Sequence, residues 1–206
     1  MQWTVLRNAF LAAVVVVIAA VPASPGSHGS GESDRAMELI GAVLNAGPSS
    51  AQYGYISFIN AIEGIFAGSP QNETTALFTF YNETSTLRVI NNGPFRIVNR
   101  EGTMTVYLDE KPNGDFAKPD SFRDGTPVMV ATLRHQVILD TATNQFTTIF
   151  VNTITSSARF TLGGRHHDLG KPGQMFRTMV FGRPSTSGPG QFVIAGYTVG
   201  TDAHSK

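Results

Sequence analysis

The sequence predicts an all-β protein: a single closed antiparallel β-barrel of about eight strands behind a short N-terminal helical segment. Three observations predict it. After Pro70, runs rich in Thr, Val, Ile and Phe alternate with clusters of Gly, Pro, Asn and Asp, with hardly a helix between them. Within the longest runs, apolar residues recur at every second position, as on a strand with one face turned inward. Finally, many short strands in one domain leave unpaired edges, and closure into a barrel removes them all; a two-layer sandwich is the alternative.

The elements follow in order. The chain opens "MQWTVLRNAFLAAVVVVIAAVPASPGSHGS": Arg7 precedes an apolar stretch over 9–21 and small residues follow, the layout of a secretory signal cleaved near Ala23 or Ser24. A membrane anchor is the alternative, but the uncharged segment from Ala9 to about Ala23 is shorter than the ~20 residues a spanning helix needs, and small residues follow it. Residues 1–24 are therefore read as signal and 25–33 as spacer, leaving a chain of the size of one domain. In "DRAMELIGAVLN", Met37, Ile40 and Leu44 have helical spacing and Gly47-Pro48 ends the run, so 34–45 is expected to be helical. "YGYISFINAIEGIFA", 53–67, suits a short helix by its Ile59, Ile62 and Phe66 spacing and a strand by its aromatic content. The segment 34–68 is thus expected to be helical or irregular cover, and 70–203 the barrel.

Strands are expected at 75–81, 86–90, 94–99, 102–109, 127–140, 145–155, 157–163, 174–181 and 191–199. Turns are expected at "NNGP" (91–94), "KPNGD" (111–115) and "TATNQ" (141–145), where positive φ or an Asx-turn is cheap. In "VMVATLRHQVIL" the set Met129, Ala131, Leu133, His135, Val137, Leu139 should face inward, and in "GTMTVYLD" the set Met104, Val106, Leu108, leaving Tyr107 outside. In "QFTTIFVNTIT", Phe146, Phe150 and Asn152 share one face, Ile149 and Val151 the other.

Composition excludes several classes of function. Fifteen basic residues balance fifteen acidic ones, so no electrostatic footprint for nucleic acid or an anionic membrane is present. Cysteine is absent, which removes disulfides, thiolate metal sites and a cysteine nucleophile. No G-x-S-x-G is present, and "GGRHHDLG" (163–170) has neither the Lys-Ser/Thr of a phosphate loop nor a following helix. Its adjacent His166 and His167 would face opposite ways on a strand, so no metal site is expected.

Two further motifs are N-x-[ST] sequons at Asn72 and Asn82, bracketing "ALFTFY". Given a secretory signal, both read as glycan acceptors on turns at opposite ends of a strand over 75–81.

His135 stands on an otherwise apolar face, either as a core histidine with a partner or as an acid-base or hydrogen-bonding group at a cavity wall. Asn152, mid-strand, would polarise a ligand carbonyl; an outward surface position is the alternative. Arg177 shares a face with Met175, Met179 and Phe181 and would clamp an oxyanion, or else snorkel to the rim.

With the strands placed, a resemblance emerges. "FTFYNETST" resembles the first strand of dirigent proteins, "GTMTVYLDE" their Gly-Thr-hydrophobic strand ending in acid, and "GPGQFVIAGYTVG" their closing strand. Over about residues 75–200 the chain thus resembles the allene oxide cyclase and dirigent barrel superfamily. The resemblance implies eight antiparallel strands around an apolar cavity, no cofactor, and the steering of cyclisations or couplings of reactive small molecules. The cyclase branch carries a carboxylate on its first strand where this chain offers Phe80, which does not support cyclopentenone chemistry. The acid of the dirigent turn corresponds to Glu83, which a glycan on Asn82 would crowd. The signal, the sequons and the missing cysteine are compatible with the branch of secreted fungal hetero-Diels-Alderases.

The expectation is a secreted barrel that directs cyclisation or cycloaddition of a hydrophobic small molecule, without nucleic-acid or stable membrane partners and with room for a homodimer. His135, Asn152 and Arg177 are the candidate catalytic residues. Met129, Leu133 and Phe150 are candidate substrate contacts, with Tyr107 kept because the dirigent-like strand ends nearby at Asp109. A non-catalytic carrier of a hydrophobic ligand is the alternative, and an interaction protein whose centre is filled by side chains is a third.

Overall fold

The computed structural model describes residues 37–185 and 191–201. The expected signal at 1–24, the spacer at 25–33 and the first residues of the expected helix, 34–36, lie outside the described residues.

Eight strands close into an antiparallel barrel: β1 (Met37–Ala46), β2 (Ser49–Ile59), β3 (Phe78–Asn92), β4 (Phe95–Leu108), β5 (Thr126–Asp140), β6 (Gln145–Ser157), β9 (Met175–Pro184) and β10 (Gln191–Thr201). Each wall strand pairs with its neighbour in the order β1-β10-β9-β6-β5-β4-β3-β2, and β1 pairs with β2 to shut the ring. Between β6 and β9, a short ribbon of β7 (Phe160–Leu162) and β8 (Arg165–His167) forms a separate two-stranded sheet. The stretch 157–163 is thus not a wall strand as expected: Ser157 ends β6 and 160–162 belong to this ribbon.

Short turns gather at one end of the barrel: 47–48, 93–94 and 141–144. The "NNGP" turn has Gly93 at φ 57° and the "TATNQ" turn Asn144 at φ 56°, the left-handed region where Gly and Asn are least penalised. The long connections 60–77, 109–125 and 158–174 gather at the other end. The expected breaks at 82–85 and 100–101 do not occur. β3 and β4 run through them as one long hairpin, with a bulge between Thr86 and Arg88.

The helix expected at 34–45 is corrected to strand over its described part, as β1. Met37, Leu39, Gly41 and Val43 point inward and are buried, while Ile40 and Leu44 point outward at 40% and 38% exposure. The residues with helical spacing therefore lie on opposite faces, and apolar residues on the outer face hid the period of two. The segment 53–67 is corrected likewise: its first half is strand β2, followed by a turn and isolated bridges. Tyr53 and Tyr55 point outward, yet both are buried because Phe116 and Phe122 of the β4–β5 connection and Phe66 cover them. A strand covered on both faces loses its alternation. Arg123 latches that connection to the wall: its guanidinium lies 4.7 Å over the Tyr81 ring and pairs with Asp120 at 2.7 Å and Glu83 at 3.3 Å.

The apolar core fills the barrel toward the long connections, around Ile56, Phe78, Phe80, Val106, Met129, Ile154 and Phe176. Room for the Phe80 ring comes from Gly41 on β1, where a Cβ would come within 2.8 Å of the ring's Cζ. Among the described residues the helical content is one 3-10 turn, Pro119–Phe122, and no helix is long and apolar enough to cross a membrane.

Candidate functional site

A cavity of about 250 Å³ opens among the short turns. Its apolar walls come from Val43, Val98, Val137, Phe146, Phe150 and Ile194, all on the inward faces of their strands. Phe146 lies against Gly182 of β9, where any Cβ would collide with the ring. The sequence places a glycine where the aromatic wall needs to lie flat.

Polar groups enter at one height. Thr86, Arg100, His135 and Phe150 are neighbours on β3, β4, β5 and β6, with Arg100 directly opposite His135 and His135 opposite Phe150. Arg100 is half-buried; its Nε donates to Thr86 Oγ1 and its Nη2 to Asn45 Oδ1, each at 3.1 Å. These bonds fix the guanidinium plane and leave Nη1 without a protein acceptor. Arg96 lies one inward position further toward the rim than Val98, and no Asp or Glu lines the cavity among the described residues. Burial, and then Arg96 nearby, lower the Arg100 pKa from its ordinary value.

His135 is 5% exposed, and neither ring nitrogen hydrogen-bonds to a protein group. Its ring tilts against Phe150 with centroids 5.1 Å apart. Burial first and the Arg100 charge second push its pKa down to about 3, so the imidazole is neutral across the physiological range. A neutral imidazole offers one donor and one acceptor.

Of the expected site residues, the structure brings two to the cavity, His135 and Phe150. Asn152 faces inward as the strand parity requires, but lies one inward position below His135's row, fully buried, its Nδ2 donating to Thr178 Oγ1 at 3.4 Å. Leu133 shares that deeper row and Met129 lies deeper still, both in the packed core. Tyr107 is half-buried on the outer face of β4. Arg177 is corrected: it points out of the barrel, between Met175 and Met179 of the outer β9 face. Met175 and Phe181 on that face are 45% and 54% exposed. An apolar face was taken as an inner face, and here it is not.

Asn82 is corrected as well. It lies within β3, not on a turn, with its side chain inward between Gln52 and Met104 and 4% exposed. An oligosaccharide there would have to pass through the wall, so the folded chain presents no acceptor at Asn82. Glu83 points outward and is free of the crowding that demoted it. Asn72 does lie in a turn, its Oδ1 accepting from the Thr74 amide at 3.1 Å and the Thr74 hydroxyl at 2.8 Å.

Sequence reasoning missed Arg100, Arg96, Asn45, Gln52 and Thr148. The signal for the two arginines was present. Extending the inward set Leu108, Val106, Met104 by twos through Gly102 reaches Arg100, Val98 and Arg96. No protein family, curated protein or solved structure matches this chain.

Proposed function

We propose that the barrel admits a small, largely apolar molecule bearing an oxygen acceptor through its short-turn end and directs a cyclisation or hetero-Diels-Alder cycloaddition there, as a secreted protein of a biosynthetic pathway. The observation that carries this reading is the row Arg100–His135–Phe150 at the base of a largely apolar cavity that no carboxylate lines among the described residues.

Such reactions need no nucleophile and no net proton transfer. They need the reacting ends held together, worth about 7–11 kcal/mol in the best cases, and donors placed where charge gathers on an oxygen. Arg100 Nη1, preorganised by the guanidinium's bonds to Thr86 and Asn45, and the neutral His135 N–H, held by packing against Phe150, are donors of that kind. Phe146 and Phe150 would fold the apolar body against them. The dirigent-like stretches lend support, since two of them fall on β4 and β10, strands that line this cavity, and the third on β3, whose Thr86 holds Arg100.

Metabolite profiles of a host with and without the chain test the reading, beside Val137→Trp, which plugs the cavity mouth. The expected result is one cyclised compound that disappears without the chain and with the plugged variant at normal expression. Persistence of every cyclised compound in both would overturn the proposal, and a bound ligand recovered unchanged would mark a carrier.

A further inference from the structure

We propose that the molecule received by this cavity is an organic acid, an apolar body ending in one oxyanion that seats on Arg100. The inference rests on the small-molecule reading above and names the class of the ligand.

The argument is one of charge. A guanidinium taken out of water costs several kcal/mol unless an anion or a full set of acceptors compensates it. Arg100 receives two neutral acceptors, Thr86 Oγ1 and Asn45 Oδ1, and no carboxylate. Arg123, which merely latches a surface loop, receives two carboxylates. The chain thus pairs its structural arginine and leaves its cavity arginine unpaired. Arg96 adds a second cation on the same inward face of β4, with Val98 between them. His135 does not add to the charge, because burial keeps it neutral. It instead brings a buried donor with no protein partner to the position beside Arg100. An oxyanion with two acceptor directions fits that pair, one direction toward Nη1 and one toward the imidazole N–H. Apolar walls above leave the rest of the ligand a dry surface.

Isothermal titration of the full chain with matched probes tests this: cinnamate, hexanoate and decanoate against cinnamyl alcohol, hexanol and decanol. One charge-assisted bond predicts that at least one acid binds roughly tenfold or more tighter than its alcohol at low salt. In Arg100→Met the preference should fall to about one, while thermal stability changes little, because the half-buried cation removed has hydrogen bonds but no counter-charge. In Arg96→Gln the preference should shrink and lose part of its salt dependence. Equal binding of acid and alcohol overturns the anion assignment and leaves the small-molecule reading standing. Absence of binding by all six probes overturns both. Should Arg100→Met fail to fold, Arg100→Gln serves the same comparison, and an undiminished acid preference in either variant refutes the seat on Arg100.

Discussion

Acid should unfold this barrel earlier than its carboxylates alone would require, and His135 is the reason. Its folded-state pKa of about 3 lies below the ordinary 6.5, since burial and the Arg100 charge both oppose a second cation. The unfolded chain therefore takes up the proton first. The neutral ring costs nothing above pH 6.5; stability is lost as pH falls from 6.5 toward 3, and the loss is complete below that. At about 1.36 kcal/mol per pH unit, two units into that window remove about 2–3 kcal/mol. For a domain of this size that lowers the melting temperature by roughly 5–10 °C between pH 7 and 4.5. The measurement is thermal unfolding by circular dichroism at constant ionic strength, in wild type and His135→Leu. Subtracting the two curves removes every other titrating group. Asp115 and Asp140, whose pKa values are lowered chiefly by backbone N–H bonds from Ala117 and Ala142, lose their contributions below pH 3.8, outside the window used. Parallel curves for the two proteins, or an imidazole resonance that His135→Leu removes and that titrates near 6.5, would refute the reasoning.

Arg177→Gln should leave ligand affinity and product yield within twofold of wild type, because the side chain is on the outer β9 face; calorimetry and product analysis check it. Gly41→Ala should lower the urea midpoint by about 1–3 kcal/mol of stability, since the added methyl meets both the Phe80 ring and the Tyr53 carbonyl. Expressed through a secretory host, the folded protein should carry a glycan at Asn72 and none at Asn82. Intact mass of Asn72→Gln against Asn82→Gln reads this directly, and folded protein glycosylated at Asn82 would refute the inward placement. Phe150→Ala should cost about 3–5 kcal/mol and join the cavity to the 10 Å³ void beneath it, so longer ligands should gain affinity relative to short ones.

How much of this could be read from the sequence depended on whether a strand's two faces differ. β5 reads cleanly because Thr132, Arg134 and Gln136 are exposed while Met129, Leu133 and His135 are buried, so its inner face and the buried His135 were legible. β1 did not read as a strand, and on β9, expected at 174–181 and found at Met175–Pro184, the inner face did not read, because Ile40, Leu44, Met175 and Phe181 make the outer face as apolar as the inner. Periodicity then has no sign, and β1 was taken for a helix and Arg177 for an inner residue. β2 was obscured by a nonlocal cause, the aromatic cover supplied by Phe116 and Phe122 some sixty residues later. Arg100 was reachable but overlooked: Gly102 carries no side chain to continue the pattern, and the sequence looks broken where β4 continues unbroken.

The interior is not uniformly apolar, and the position of its polar groups sets the depth of the cavity. Gln52 Nε2 donates to Ser50 Oγ at 2.7 Å and Thr84 Oγ1 at 3.3 Å on one side of the barrel. Asn152, Thr178 and Thr198 are linked at 3.4 and 2.9 Å on the other. Burying such groups costs free energy that hydrocarbon would not, so stability alone does not explain them. Thr178 and Thr198 continue the Arg100–His135–Phe150 row across β9 and β10, Asn152 lies one inward position below it, and Gln52 lines the cavity, so the apolar core ends at this level. Short, mutually bonded side chains stand where a leucine or phenylalanine would reach up and fill the space. Asn82 and Gln52 each keep a buried oxygen without a protein partner, an acceptor in a barrel whose other unpaired polar groups at this height include both His135 nitrogens. The barrel is therefore packed with hydrocarbon below this level and walled largely with it above, and its buried hydrogen-bonding groups gather between the two. Replacing Thr178 and Thr198 together by valine tests the role of this polar row: thermal unfolding should show a loss of roughly 1–3 kcal/mol, because the buried Asn152 Nδ2 is left without its acceptor, and adding Asn152→Leu to the pair should recover it.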